Sequence, residues 1–273
     1  GLVGNLAWLT EDEVRTRVGC FAPGQVAAGL LEPDAMDIDV DALHRGYLRL
    51  FAARRGTLVN NAEVRALEWA GGAWRASTSA GEFRAARLVN AAGAWADEIG
   101  KLAGAKPIGL VPMRRTAITF DPPAGVDIGH WPAVFDIDEQ WYFKPDAGRI
   151  LASPADETPS APCDAQPDEY DIAVVVDRLS RATTLQVPRI VARWAGLRSF
   201  VDDRLLVVGF DPRVPHFFWL AGQGGHGIQT APAVSRMAAA LFEGDPVPSD
   251  IADLGVHAAT LAPTSAELAA ASR

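Results

Sequence analysis

Phe217-Phe218-Trp219-Leu220-Ala221-Gly222-Gln223-Gly224-Gly225-His226-Gly227-Ile228 is the stretch whose reading decides the fold. The apolar run reads as a strand near 217–220, and it stops in a glycine-rich loop. A helix over residues 230–242 is expected to follow. The loop satisfies G-x-G-x-x-G between strand and helix, the pattern of a dinucleotide-binding turn. Its place in the chain argues against that use. Only one helix and an Ala/Pro/Ser-rich tail from Pro246 come after it, so no second strand completes a βαβ unit or supplies a ribose-binding acid. A different use fits the residues. Consecutive glycines let backbone N–H groups approach a flat ring, and a helix N-terminus adds partial positive charge. A tight turn that only packs strand against helix is the plainer alternative.

Working outward, Thr10-Glu11-Asp12-Glu13 is a capping box for a helix through about Val18, followed by a Pro/Gly-punctuated loop over residues 23–33. Leu43, Tyr47, Leu50 and Phe51 share one helix face, which Asp39 or Asp41 would cap and Gly56 would end. Strands are expected at 57–60, 63–69, 74–79 and 82–85, with turns at Gly71-Gly72 and Ala80-Gly81. Residues 87–90 read as a buried strand entering Ala91-Ala92-Gly93 and a helix over 95–102. From Pro107 the texture becomes β-rich, with strands at 114–120, 133–135, 140–144 and 149–152. A Pro-rich link (153–167) leads to a helix across 172–185, then strands at 192–197 and 205–208. The tail from Pro246 should dock loosely or fray.

Composition narrows the class. Of 273 residues, 49% are hydrophobic and 22% charged, which is globular rather than disordered. The net charge of −9 leaves no electrostatic footprint for nucleic acid. Lys101, Lys106 and Lys144 are the only lysines. Cys20 and Cys163 have neither zinc-ligand spacing nor the density of a disulfide scaffold. No stretch approaches the roughly 20 apolar residues of a membrane helix, and no signal peptide opens the chain, so a cytoplasmic location is expected. The acids Asp156, Glu157, Asp164, Asp168 and Glu169 read as solvated surface, because the link is Pro-broken and without histidine. No metal site is expected.

Four segments together resemble the D-amino-acid oxidase superfamily of FAD-dependent oxidoreductases, in the branch of glycine oxidase and sarcosine oxidase. They are Leu88 to Ala96 with its Ala-Ala-Gly turn, Trp141-Tyr142-Phe143-Lys144-Pro145 with Gly148-Arg149-Ile150, Trp194-Ala195-Gly196-Leu197-Arg198, and the glycine loop with Gln229 and Ala231-Pro232-Ala233. The similarity runs from about Leu9 to Glu243. Members of this superfamily begin with a strand, a G-x-G-x-x-G turn and an acidic ribose ligand. By that layout about a hundred residues would precede Gly1, the size of a βαβ unit and its onward connection.

The resemblance implies an α/β plus α+β fold. An incomplete FAD-binding Rossmann-like domain (38–105 and 196–243) is interleaved with a mixed, antiparallel-rich β-sheet substrate domain (1–37 and 106–195), and 244–273 form a C-terminal tail. FAD is the implied cofactor, and a small amine or amino acid the implied substrate, oxidised by hydride transfer to flavin N5. Arg198 would grip the substrate carboxylate bidentately, a task suited to a planar guanidinium. Tyr142 would offer its hydroxyl to the same group, and His226 would lie near the flavin. Gly222, Gly224, Gly225, Gly227 and Ile228 would contact the cofactor. So would Ala91, Ala92, Gly93 and Trp95, with Val64 at its adenine end. Bland readings stand beside these: a structural ion pair for Arg198, a surface-sheet tyrosine for Tyr142, core packing for Trp95. Lys144 is expected in solvent, Trp194 in the core, and Arg114 and Arg115 either facing the site or capping the sheet. Residues 149–153 hold no lysine of the kind some oxidases place over the flavin, which points toward a dehydrogenase. Rival readings are a hydroxy-acid or glycerol-phosphate-like substrate, an inactive chain or one needing a partner to bind FAD, and a nicotinamide enzyme. Homo-oligomerisation stays open.

Overall fold

The structure, a computed structural model, describes residues 5–263. Its elements begin with β1 (Ala7–Thr10), α1 (Glu11–Arg17), β2 (Ala28–Leu31), α2 (Val40–Ala53), β3 (Val64–Ala70), β4 (Ala73–Thr78) and β5 (Gly81–Ala85). Next come β6 (Leu88–Asn90), a short 3-10 turn (Gly93–Trp95), α3 (Ala96–Leu102), β7 (Val111–Phe120), β8 (Val134–Phe135), β9 (Tyr142–Asp146) and β10 (Arg149–Ser153). The remainder is β11 (Thr158–Pro159), α4 (Glu169–Ala182), β12 (Ile190–Phe200), β13 (Val207–Phe210), β14 (Phe217–Ala221), α5 (Gly227–Glu243), α6 (Ser249–Ala252) and α7 (Ala258–Leu261). It is a mixed α/β fold with antiparallel-rich sheets.

The chain divides into two units. The first takes the chain up to Asp37, then Arg114–Pro159 and Cys163–Leu197; the second takes Ile38–Met113, Ser160–Pro162 and the chain from Arg198 onward. Two of the divisions fall inside strands, within β7 and within β12.

In the first unit, β11, β7, β10, β9 and β8 lie side by side, and β12 also pairs with β7. Ile150 stands opposite Phe120, and Ala152 opposite both Ile118 and Phe143. The period of two therefore puts all five side chains on one face. That face is buried against Ile172, Val175 and Leu179 of α4 and against Val18, Cys20 and Phe21. Asp168 caps α4 by accepting from the Tyr170 N–H, so the helix starts three residues earlier than 172. At the N-terminal end the capping box is present as read, with Thr10 and Glu13 exchanging hydrogen bonds. The 23–33 loop hides a strand: β2 pairs antiparallel with β1.

Several charged residues of this unit depart from expectation. Lys144 is not free in solvent but half-buried and ion-paired with Asp37. Arg114 donates to Asp171 of α4 (2.9 Å), and Arg115 donates from Nε to the Asp156 carbonyl (2.7 Å). Asp156 is no solvated acid, since it accepts from both the N–H (2.7 Å) and the hydroxyl (3.1 Å) of Thr116. Trp194 is 43% exposed on β12 rather than in the core.

In the second unit, β3, β4 and β5 form an antiparallel meander, and β13, β14 and β6 a separate sheet. The apolar run of β14 is buried on both faces. Phe217, Trp219 and Ala221 meet Trp74, Ala96 and Val207, while Phe218 packs with Val208, Met237 and Ala238. Buried polar groups fix this sheet. Asp211 accepts from the Trp219 indole N–H (3.1 Å) and from the backbone N–H groups of Arg213 and Val214. Trp74 donates its indole N–H to the Pro215 carbonyl (3.1 Å).

Three expectations for this unit fail. Residues 57–60 form no strand. β6 sits at its sheet's edge with Val89 45% exposed, so it is not the fully buried strand that its apolar residues suggested. The tail is not frayed throughout, because Ile251 and Leu261 are buried in the cluster under α5; residues 264–273 lie outside the described residues. Asp39 caps α2 as read, but no residue of α2 is buried.

Candidate functional site

The second unit brings two expected segments to one place. β6 and β14 are parallel neighbours, with Phe217 opposite Leu88 and Trp219 opposite Asn90. Their C-terminal ends therefore leave the sheet on the same side, the position where open α/β sheets put their ligands. From β6 the chain enters Ala91-Ala92-Gly93, and from β14 it enters the glycine loop.

Asn90 organises the first turn. Its side chain is buried, donates to the Ala96 carbonyl (2.8 Å) and accepts from the Ala92 N–H (3.3 Å). Sequence reasoning passed over Asn90, although a polar residue ending an apolar strand was the available signal. Beyond it Gly93 takes a left-handed conformation, Ala91 and Gly93 are exposed, and Trp95 is 42% exposed, which removes the plain core reading for that indole.

The glycine loop is seated on the last three residues of β12. The Gly224 N–H donates to the Ser199 carbonyl (2.9 Å). Arg198 and Phe200, two residues apart, present side chains to the loop from the same face of that strand. Gly222 and Gly224 have φ of +75° and +53°, a region that costs other residues strain. A methyl group on Gly224 would strike the Phe200 ring, and one on Gly225 would stand 2.9 Å from Arg198 Nη1. The Arg204 guanidinium lies over the Phe200 ring, 4.0 Å from its centroid.

The loop ends where α5 begins. His226 is the N-cap residue and makes no side-chain capping hydrogen bond. The first N–H groups of a helix have no partner within it. Here they are those of Gly227, Ile228 and Gln229, at the positive end of a 17-residue helix. Gly225, His226 and Ile228 are exposed.

The remaining expected residues belong to other elements. Val64 begins β3, in the meander rather than in the sheet that carries the two loops. Tyr142 belongs to the first unit, on β9, with its ring stacked on Phe135 (centroids 5.4 Å apart). It points to the sheet face opposite Phe143, as does Lys144.

Residues 2–241 match the family described as DAO, FAD dependent oxidoreductase. An uncharacterized oxidoreductase of Bacillus subtilis, YurR, is 26% identical over 258 residues, which is 91% of this chain and 66% of that protein. The glycine oxidase of Geobacillus kaustophilus is 25% identical over 261 residues, 92% of this chain and 66% of that protein. The crystal structure of that species' glycine oxidase superposes with a TM-score of 0.77 at 23% identity, covering 90% of this chain and 65% of that one. The L-proline dehydrogenase from P. horikoshii superposes equally well (TM-score 0.77) at 21% identity, covering 94% and 68%. The chain thus spans about two thirds of the length of the proteins it matches.

The residues present fit the flavin half of FAD. Two small-residue turns emerge side by side, at Gly225 only an arginine tip stands close to where a side chain would begin, and the helix amides beyond carry no side-chain cap. A flat ring that gathers negative charge along one edge on reduction suits all three features. With its fold, its two loops and its sequence match in agreement, the chain belongs to the DAO family of FAD-dependent oxidoreductases.

Proposed function

We propose that the protein oxidises a small amine or amino acid bearing a carboxylate. The observation that carries this reading is the position of Arg198, whose guanidinium lies against the glycine loop at the ligand end of the β6–β14 pair. FAD, when bound, would supply the acceptor for the hydride, with its two electrons, that leaves the amine-bearing carbon.

This chain's residues supply position and charge. Gly222, Gly224, Gly225, Gly227 and Ile228 would hold the cofactor's ring on one side, and Ala91, Ala92, Gly93 and Trp95 on the other. Val64 is assigned to its adenine end on the resemblance alone. The α5 N-terminus favours negative charge on the cofactor edge it faces, which assists reduction. Arg198 pairs with the substrate carboxylate through two parallel N–H···O bonds and so fixes which C–H is presented. No side-chain base is required when the amine arrives neutral, and water hydrolyses the imine product. His226, exposed at the loop's end, is assigned to cofactor proximity. The role of Tyr142 as a second carboxylate contact rests on the resemblance alone.

Replacing Arg198 by Leu tests the reading. Loss of a charge-assisted pair is worth roughly 1.5–3 kcal/mol, so kcat/KM for a carboxylate-bearing substrate should fall on the order of 10- to 100-fold. Unchanged kcat/KM would remove Arg198 from the site. Substrate class is read separately, by bleaching of the flavin under anaerobic conditions across a panel of amino acids, amines and hydroxy acids. Bleaching by hydroxy acids or glycerol phosphate in place of amines would overturn the amine assignment.

A further inference from the structure

The glycines of the loop are not equivalent. Gly222 needs its left-handed φ, and a methyl group there would meet the backbone at the Leu205 carbonyl oxygen (3.1 Å). Gly224 also needs its φ, and a methyl there would strike the ring of Phe200, a buried residue. Both are demanded by the fold. Gly225 differs on each count. It is exposed, its φ is not left-handed, and the three nearest atoms to an added methyl all belong to Arg198: Nη1 at 2.9 Å, Cζ at 3.4 Å and Nε at 3.8 Å.

An obstruction of that kind is relieved by the part that moves most cheaply. Backbone and buried rings resist, because interiors are close-packed. The tip of a half-buried arginine rotates about several soft torsions. A side chain at position 225 would therefore leave the loop in place and push the guanidinium aside.

We propose that Gly225 is the positioning residue for Arg198: the missing side chain at 225 sets where the guanidinium lies, and so sets the preference for substrates that carry a carboxylate. This deepens the reading of Arg198 given above and rests on it. Toward the substrate Gly225 acts through Arg198, which separates it from Gly222 and Gly224.

The test uses the FAD-loaded protein with Gly225→Ala, Arg198→Leu and the double replacement. The first readout is the dissociation constant of acetate, a carboxylate with no oxidisable amine, taken from perturbation of the flavin absorption spectrum. The second is the ratio of kcat/KM for alanine to that for ethylamine, the matching amine without a carboxylate. Thermal midpoint and retained flavin are recorded for every variant. The expected result is that Gly225→Ala keeps its thermal midpoint and, with FAD supplied to saturation, binds acetate at least about tenfold more weakly and lowers the alanine-to-ethylamine ratio. In the Arg198→Leu background the same change should have no further effect on acetate.

The other outcomes divide cleanly. If Arg198→Leu abolishes acetate binding while Gly225→Ala leaves it intact, the positioning role is wrong and the Arg198 reading stands. If Arg198→Leu leaves acetate binding intact, the Arg198 reading fails and takes the positioning role with it. A Gly225→Ala protein that unfolds would also overturn the proposal, since the methyl's cost would then fall on the loop and not on Arg198.

Discussion

Cys20 lies in the core of the first unit, and burial pushes its thiol from 9.0 up to about 12. The folded value stands above the unfolded one, so the neutral thiol's contribution to stability is complete below about pH 9. It drains away as pH rises toward 12. Urea midpoints measured from about pH 8 to about pH 11 should decline, and Cys20→Ala should decline less across that window. An equal slope in both proteins would assign the alkaline loss to other groups. From sequence, Cys20 could be excluded from zinc and disulfide chemistry but not placed, because burial depends on partners as distant as Leu179. Arg198 was legible as a candidate from its residue type and the surrounding segment. What Gly225 does for it was not, since that depends on a strand and a loop more than twenty residues apart meeting at one point. Asp211 and Asn90 were passed over although their partners are local: a buried indole and two turn amides for Asp211, a turn amide and a helix-entry carbonyl for Asn90.

α2 shows what periodicity reveals about an element and what it leaves out. The spacing of Leu43, Tyr47, Leu50 and Phe51 announced the helix, and Asp39 caps it as read. The same pattern implies a covering surface, yet Leu50 is 57% exposed and Phe51 48%. Period reports an apolar face and says nothing of what meets it. Leu50→Ala should therefore change the unfolding free energy by less than about 1 kcal/mol, as surface substitutions do. Leu179→Ala, at a fully buried position of α4, should cost about 2–5 kcal/mol. Chemical denaturation of the two variants decides it, and a large loss at Leu50 would mean that α2 is covered in solution. The hairpin of β1 and β2 is the opposite case: its pairing joins residues about 18 to 24 positions apart, and Pro/Gly punctuation disguised it as a loop. Trp194 was placed in the core by its size, but it faces outward on an exposed stretch of β12.

Across the whole chain, the mixed fold class and the family were legible, because four separated segments agreed in order and spacing. Two seams between the units fall inside continuous strands, β7 and β12, where neither composition nor turn signals change. Each unit draws its core from pieces far apart. In the first, Val18, Cys20 and Phe21 complete the cluster built on β7, β9, β10 and α4. A fragment of residues 114–197 lacks them, so it should show no cooperative unfolding transition in urea by fluorescence or circular dichroism. A sharp transition would show that the sheet and α4 suffice. The interleaving also bears on inheritance. No single crossover between two related genes could exchange one unit for its counterpart, because each is encoded in three separate runs. On the assignments proposed above, substrate preference in such a lineage would change by point substitution at positions such as 198 and 225, instead of by exchange of a whole unit in one crossover.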